Sequence, residues 1–233
     1  MKSFLAIVSS SRPISWINTA FPFAVAYLLI TREFDLNFWV GTLFFLIPYN
    51  LLMYGINDVF DYESDLANPR KGGVEGALLA PELHLPTIIT SVSLSAPFLI
   101  YLFWVGDFSS SLILAITIFT VIAYSLKGLR FKEIPFLDSI TSASHFTGPL
   151  LFGIALAGAN ILENPALLIV LSLFFWSMAS HAFGAVQDVK ADRNARIGSV
   201  ATSIGARWTV RFSFVLYALA ALLVVLAGGR IAL

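Results

Sequence analysis

Seven long apolar stretches, separated by charged segments, dominate this sequence. A helix that crosses the hydrocarbon core of a bilayer needs about 20 apolar residues, and each stretch is close to that length. Because lipid cannot satisfy backbone polar groups, such stretches fold as helices whose hydrogen bonds are internal. They lie at 14–31, 38–56, 86–105, 110–126, 137–157, 165–186 and 209–228. The sequence therefore predicts an all-α fold, a polytopic transmembrane helical bundle with about seven spans.

Composition agrees with this class and excludes others. Hydrophobic residues make up 58% of the 233 and charged residues only 12%, which is more apolar surface than one water-soluble core can hide. The net charge is zero, so nothing indicates a nucleic-acid partner. The sequence has no cysteine, which excludes disulfides and cysteine-based metal or nucleophilic chemistry.

The first apolar stretch is expected to remain as the first helix. It contains Pro13, Trp16 and Pro22 and lacks a small-residue cleavage pattern, unlike a secretory signal. No low-complexity tract or water-soluble segment of domain size interrupts the chain. We therefore expect a single transmembrane domain over 1–233.

The distribution of basic residues predicts the orientation of the bundle. If the seven helices alternate in direction, twelve of the 14 Lys and Arg residues fall on one side, and only Arg32 and Arg230 fall on the other. Basic residues in short loops mark the cytoplasmic side. We therefore expect a multi-pass protein of the cytoplasmic (inner) membrane, with its N-terminus and its long charged loops in the cytoplasm.

An acidic motif follows the second apolar stretch, Asn57-Asp58-Val59-Phe60-Asp61-Tyr62-Glu63-Ser64-Asp65. At about 100° per residue, Asp58, Asp61 and Asp65 project within a narrow arc of a helix. Like charges gathered at the end of an apolar helix are unfavourable unless a cation holds them, and carboxylate oxygens suit Mg²⁺. The motif therefore predicts a magnesium site.

A second acidic motif, Gln187-Asp188-Val189-Lys190-Ala191-Asp192-Arg193, follows the sixth stretch. Asp188 and Asp192 are four residues apart and share a helical face. Either motif alone is more typical of a solvated helix end at a membrane surface than of a functional site. Together, on one side of the membrane and beside basic loops, they favour a site that grips a diphosphate through Mg²⁺. Loss of such a leaving group from an allylic substrate produces an allylic carbocation.

These residues resemble the UbiA superfamily of membrane prenyltransferases. The signature of that family pairs an Asn-Asp-x-x-Asp-x-x-x-Asp motif after helix two with an Asp-x-x-x-Asp motif after helix six. Family members usually have nine spans, and this chain ends soon after the seventh, so we expect a domain that is shortened at its C-terminal end. The resemblance covers nearly the whole chain through Ser11-Arg12-Pro13, Asn57–Asp65, Tyr124-Ser125, the basic loop with Lys127, Arg130 and Lys132, and Asp188–Asp192.

Within the family the sequence looks like the bacterial lycopene elongases of decaprenoxanthin-type carotenoid biosynthesis. The stretches that carry this likeness are 11–20, 47–50, 68–76 and 145–147. The resemblance implies that dimethylallyl diphosphate is ionised and that a terminal double bond of lycopene attacks the cation. It also implies Mg²⁺ as cofactor, held with the diphosphate by Asp58, Asp61, Asp65, Asp188 and Asp192. Further substrate contacts would come from Asn57, Arg70, Lys71, Tyr124, Lys127 and Arg130.

Other functions remain open at this point. A related enzyme with the same two motifs could prenylate an aromatic quinone precursor or a polar lipid, although nearly every basic residue here lies in a loop, which favours a hydrocarbon acceptor. An ion or metabolite transporter is a further alternative, because intramembrane acidic residues often mark ion paths. The expected partners are the two substrates, the lipid bilayer and other carotenoid-pathway enzymes.

Three residues near the motifs have competing interpretations. His145 and His181 are expected to be satisfied by neighbouring helices rather than to act on a substrate. Arg12 could reach a phosphate, but we expect it to extend toward lipid headgroups.

Overall fold

The protein is a bundle of helices in a computed structural model that describes residues 2–66, 72, 78–163 and 165–231. All regular elements among these residues are helical. Short 3₁₀ turns lie at Pro13–Ser15, Pro81–Leu83 and Phe131–Glu133, and a π-helical segment lies at Leu51–Gly55. The α-helices are α1 (Lys2–Ser10), α2 (Trp16–Thr31), α3 (Leu36–Leu46), α4 (Pro48–Asn50), α5 (Ile56–Phe60), α6 (Tyr62–Leu66), α7 (His84–Val105), α8 (Phe108–Ser125), α9 (Leu137–Leu156), α10 (Ala166–Ala195), α11 (Val200–Ile204) and α12 (Ala206–Ile231).

Six helical segments within the described residues are long and apolar enough to cross a membrane. The seventh expected span is α9, which is 20 residues long. Its hydropathy is too low for it to be counted among the six. Its first half contains Asp138, His145 and several Ser and Thr residues, which are buried inside the bundle. The predicted all-helical membrane bundle is thus confirmed. The six segments are Ser3–Thr31, Leu36–Phe60, Pro81–Val105, Phe108–Ser125, Ala166–Ala195 and Ala206–Gly229.

Helix α9 lies at the centre of the bundle and packs against α2, α8 and α10. Small residues permit these close approaches, as is common between membrane helices. A Cβ at Gly153 would lie 2.8 Å from the carbonyl oxygen of Phe23 on α2, and one at Gly148 would collide with Thr117 on α8. The central helix is therefore held at backbone distance from its neighbours, which fixes the polar side chains of its first half.

Tight turns join the helices on the side away from the acidic motifs. Asp35 caps α3 by accepting a hydrogen bond from the Phe38 amide at 2.8 Å. Asp107 caps α8 in the same way, through the Ser110 amide at 2.8 Å. Such caps satisfy the free amides at helix N-termini, so these acidic residues have structural partners remote from the motifs.

Candidate active site

The first acidic motif lies where the second span changes its helical geometry. The π-helical segment Leu51–Gly55 precedes it, a feature that is frequent near functional sites. Helix α5 then ends at Phe60 and α6 begins at Tyr62, so the motif is not the single continuous helix that the sequence predicts. Backbone hydrogen bonds nevertheless bridge the junction, from Asp61 to Asn57 at 2.9 Å and from Asp65 to Asp61 at 2.8 Å.

All three aspartates of this motif face the interior of the bundle. Asp58 exposes 1% of its surface, Asp61 3% and Asp65 7%. Burying a charge is costly unless it is paired and hydrogen-bonded. The identity of their partners therefore determines what the motif can do.

Asp58 pairs with Arg12, which precedes α2. The distance from Arg12 Nη2 to Asp58 Oδ1 is 3.1 Å, and the guanidinium also lies 4.2 Å from the ring centroid of Tyr54. This position corrects the expectation that Arg12 extends to lipid headgroups. A buried carboxylate attracts the guanidinium more strongly than the membrane surface does.

Asp61 is held by side chains from its own segment and from the loop after α8. Lys132 forms an ion pair with its Oδ2, Arg130 Nη2 lies 3.4 Å from its Oδ1, and Asn57 donates to its Oδ2. Asn57 also donates to Ser125 Oγ on α8 at 2.9 Å, which ties the motif to a neighbouring span. Two cations and an amide thus converge on one buried carboxylate.

Burial alone lowers the pKa of the Arg130 guanidinium, but its hydrogen bond to Glu133 and the charge of Asp61 raise that pKa overall. Arg130 therefore stays cationic beside the motif.

The second acidic motif lies on α10, which continues beyond the sixth apolar stretch to Ala195. Asp188 and Asp192 both line the same cavity as Asp61 and Asp65. Ser199 donates to Asp192 Oδ2 at 3.4 Å. The loop that follows packs tightly on the turn carrying Lys132, since a Cβ at Gly198 would collide with the carbonyl oxygen of Glu133.

A cavity of about 570 Å³ lies between the two motifs. Five carboxylates but only two Lys or Arg side chains, Arg12 and Lys132, are among the described residues of its wall. An anionic substrate would be repelled from this cavity unless divalent cations entered with it. The donor set of carboxylate oxygens fits Mg²⁺, which prefers carboxylates, phosphates and water. The five acidic residues are Asp61, Asp65, Asp138, Asp188 and Asp192.

Within the described part of the chain, no three acidic or histidine side chains are already grouped as a metal site. The buried aspartates Asp58 and Asp61 instead pair with Arg12, Lys132 and Arg130. For Asp58 and Asp61 to bind a metal ion, the ion would therefore have to replace these Arg and Lys side chains.

The remaining expected site residues lie in different places. Tyr124 lines the cavity, whereas Lys127 is exposed on the loop after α8 and is absent from the cavity wall. Arg70 and Lys71 lie outside the described residues. Among the described residues, the cations of the cavity wall are Arg12 and Lys132, which the sequence places in the same basic loop as Lys127.

The cavity wall also carries two histidines beside Tyr124. The Tyr124 hydroxyl lies 3.0 Å from His181 Nε2, and the ring of Tyr124 meets that of His145 edge to face at 5.2 Å. His145 Nε2 lies 3.3 Å from the carbonyl oxygen of Thr120. Both histidines therefore have partners on neighbouring helices, as expected, and both also line the cavity.

Known proteins resemble this chain over nearly its full length. A lycopene elongase/hydratase of Corynebacterium glutamicum is 56% identical over 225 residues, 96% of this chain and 78% of that protein. The C(50) beta-cyclic carotenoids biosynthesis protein LbtBC of Dietzia is 57% identical over 94% of this chain, which spans half of that relative. A lycopene elongase/hydratase of Haloferax volcanii is 32% identical over 94% of this chain and 70% of that protein.

Solved structures agree with the fold. A UbiA homolog from Archaeoglobus fulgidus bound to DMAPP and Mg²⁺ has a TM-score of 0.74 at 20% identity, covering 95% of this chain and 77% of that one. The apo structure of a UbiA homolog from Aeropyrum pernix has a TM-score of 0.73 at 17% identity, covering 95% and 81%. The family model of the UbiA prenyltransferase family matches residues 19–233. The chain is therefore a multi-pass membrane prenyltransferase that belongs to the UbiA family.

Proposed function

We propose that this enzyme transfers the dimethylallyl group of dimethylallyl diphosphate to lycopene in a magnesium-dependent reaction. The observation that carries the proposal is the cavity between the two acidic motifs, whose described wall holds more carboxylates than cations. The relatives named lycopene elongase/hydratase support the acceptor. The homolog bound to DMAPP and Mg²⁺ supports the donor and the metal.

Both acidic motifs would take part in binding the diphosphate. Asp58, Asp61, Asp65, Asp188 and Asp192 would hold Mg²⁺, which when bound neutralises the diphosphate and makes it a better leaving group. Arg12, Arg130 and Lys132 would then form ion pairs with phosphate oxygens in place of their ion pairs with the carboxylates. Because the ion pairs already place these cations at the first motif, little movement of the backbone is required.

The cavity wall beyond the diphosphate would protect the allylic cation. Tyr54, Tyr124 and Phe146 line it, and aromatic faces attract positive charge while excluding water. Attack by a double bond of the acceptor forms the new carbon–carbon bond. A hydrocarbon acceptor fits this site, since the described cations at the first motif, Arg12, Arg130 and Lys132, are the ones that would bind the diphosphate and would not be available for an acceptor carboxylate or phosphate.

The cytoplasmic membrane is the proposed location, with the active site open to the cytoplasm. The basic residues that support this orientation lie at the same ends of the helices as both acidic motifs. Water-soluble diphosphate would enter from that side and lycopene from the bilayer. Association with other enzymes that make or use the carotenoid is part of the same proposal.

An acceptor panel tests the proposal. Detergent-purified enzyme is incubated with Mg²⁺, dimethylallyl diphosphate and, in separate reactions, lycopene, an aromatic quinone precursor and a glyceryl phosphate lipid. Mass gains of one and two prenyl units on lycopene alone would support it. Prenylation of either other acceptor, with lycopene unchanged, would refute the acceptor and retain the ionisation chemistry.

A further inference from the structure

A continuous chain of hydrogen-bonding side chains reaches the cavity from outside both acidic motifs. We propose that Tyr124, His181, Ser139 and Asp138 form a relay that accepts the proton released when prenyl transfer terminates. This inference rests on the proposed function. It assigns the terminating step of that reaction to residues outside both acidic motifs.

The relay is continuous in space and crosses three helices. Tyr124 on α8 lies 3.0 Å from His181 Nε2 on α10. His181 Nδ1 lies 3.2 Å from Ser139 Oγ on α9, and Ser139 Oγ lies 3.2 Å from Asp138 Oδ1. Tyr124, His181 and Asp138 all line the cavity, so both ends of the chain reach the reaction space.

Asp138 sets the direction of every hydrogen bond in this chain. Its carboxylate accepts from the backbone amides of Ser139 at 2.7 Å and Val200 at 2.8 Å, and an ionised carboxylate can only accept. Ser139 must then donate its hydroxyl proton to Asp138 and accept from His181 Nδ1–H. With that tautomer His181 Nε2 has a free lone pair, so the Tyr124 hydroxyl donates to it.

This polarity allows a proton to move from the cavity toward Asp138. Attack by the acceptor double bond leaves a carbocation on the acceptor, which ends either by losing a neighbouring C–H proton to reform a double bond or by adding water and losing an O–H proton. In both cases the phenolic oxygen of Tyr124 takes the proton while its own passes to His181 Nε2. His181 then carries the charge, which the Asp138 carboxylate stabilises through Ser139 until solvent removes the proton.

A neutral phenol is an adequate base here because a proton beside a carbocation is strongly acidic. Position matters more than basicity for such a step. The edge-to-face contact with His145 holds the Tyr124 ring in place. His145 is itself bonded to a backbone carbonyl and lies outside the relay.

The test compares two products of the same ionisation event. For Tyr124→Phe and His181→Gln, magnesium-dependent diphosphate release is measured alongside elongated carotenoid and free dimethylallyl alcohol. His181→Gln retains hydrogen-bonding atoms but cannot become cationic. Tyr217→Phe is the matched control, because it removes a hydroxyl that is bonded to Ser180 at 2.9 Å outside this cavity.

We expect His181→Gln to release diphosphate within about threefold of the wild-type rate while the carotenoid formed per diphosphate falls about tenfold, and Tyr124→Phe to show the same fall in that ratio. Free alcohol should account for the difference, because a transfer that cannot terminate reverts and water captures the allylic cation. The control should keep the wild-type ratio. A purely structural role would instead lower release and transfer together.

A wild-type ratio of carotenoid to diphosphate in both variants would refute the relay and indicate that the departing diphosphate takes the proton. A parallel loss of release and transfer would refute it as well. If Tyr124→Phe does not fold, His181→Gln tests the relay by the same ratio of carotenoid to diphosphate, since it interrupts the relay at His181. Failure of the proposed function appears separately, as absence of prenyl transfer by the wild-type enzyme.

Discussion

Arg12 Nη2 lies 3.1 Å from Asp58 Oδ1, which joins the turn before α2 to the acidic motif at the end of the second span. The Asp58 side chain has no exposed surface, and that of Arg12 is 17% exposed. Removing one charge of a buried ion pair destabilises a protein. The effects of this ion pair on stability and on prenyl transfer can therefore be measured separately.

Arg12→Gln should lower the free energy of unfolding by about 3 kcal/mol, since it removes one partner of a buried pair. The double variant Arg12→Gln/Asp58→Asn should recover much of this stability but no prenyl transfer. Thermal unfolding in detergent and carotenoid formation are the two measurements. Arg32→Gln, which changes an exposed arginine on the other side of the bundle, is the control. Equal losses of stability in the single and double variants would contradict the pairing.

Two lysines of the same loop are expected to differ in importance. Lys132 forms an ion pair with Asp61, whereas Lys127 is exposed. Lys132→Ala should raise the KM for dimethylallyl diphosphate about tenfold, the effect of losing about 1.4 kcal/mol of charge-assisted binding. Lys127→Ala should change it much less. Steady-state kinetics gives the KM of each variant. A larger increase in KM for Lys127→Ala than for Lys132→Ala would show that the exposed lysine contacts the diphosphate.

Gly198 couples the two halves of the site. A Cβ at this position would collide with the carbonyl oxygen of Glu133, next to Lys132. Gly198→Ala should therefore destabilise the protein by about 1–3 kcal/mol, as overpacking does, and should lower the rate of diphosphate release. Gly228→Ala introduces a Cβ with no neighbour within 4 Å and serves as the control. Equal thermal midpoints for the two variants would argue against this contact.

The orientation of the bundle can be measured directly because the chain has no cysteine of its own. Lys127→Cys should react with a membrane-impermeant maleimide only after cells are permeabilised, since positive loops stay in the cytoplasm. Arg32→Cys should react in intact cells. Labelling with the opposite pattern would place the active site outside the cytoplasm.

Much of this architecture follows from local sequence signals. Hydropathy over about 20 residues identifies spanning helices, and the spacing of Asp188 and Asp192 places both on one helical face. Even α9, which is not among the six candidate spans, was expected as a helix at 137–157 and lies at Leu137–Leu156. Each of these features depends on residues within a few helical turns of one another.

The partners of the acidic residues could not be predicted in the same way. Arg12 and Asp58 are 46 positions apart, and Tyr124 and His181 are 57 apart, so only helix packing brings them together. Lys132 reaches Asp61 because the loop forms a 3₁₀ turn after Arg130, which adopts a left-handed conformation with φ 42°. The bounds of α5, α6 and α10 also depend on contacts between spans rather than on propensity.

In the proposed reaction, a buried and a half-buried carboxylate cluster ionise an allylic diphosphate through Mg²⁺. The most direct test measures diphosphate release and carotenoid mass for Asp61→Asn and Asp188→Asn, with and without EDTA. The control is Asp107→Asn, which retains a capping residue at the far end of α8. The account predicts that both site variants and EDTA lower turnover about a hundredfold or more while the control stays active. Retained turnover in both site variants, or in the presence of EDTA, would contradict it.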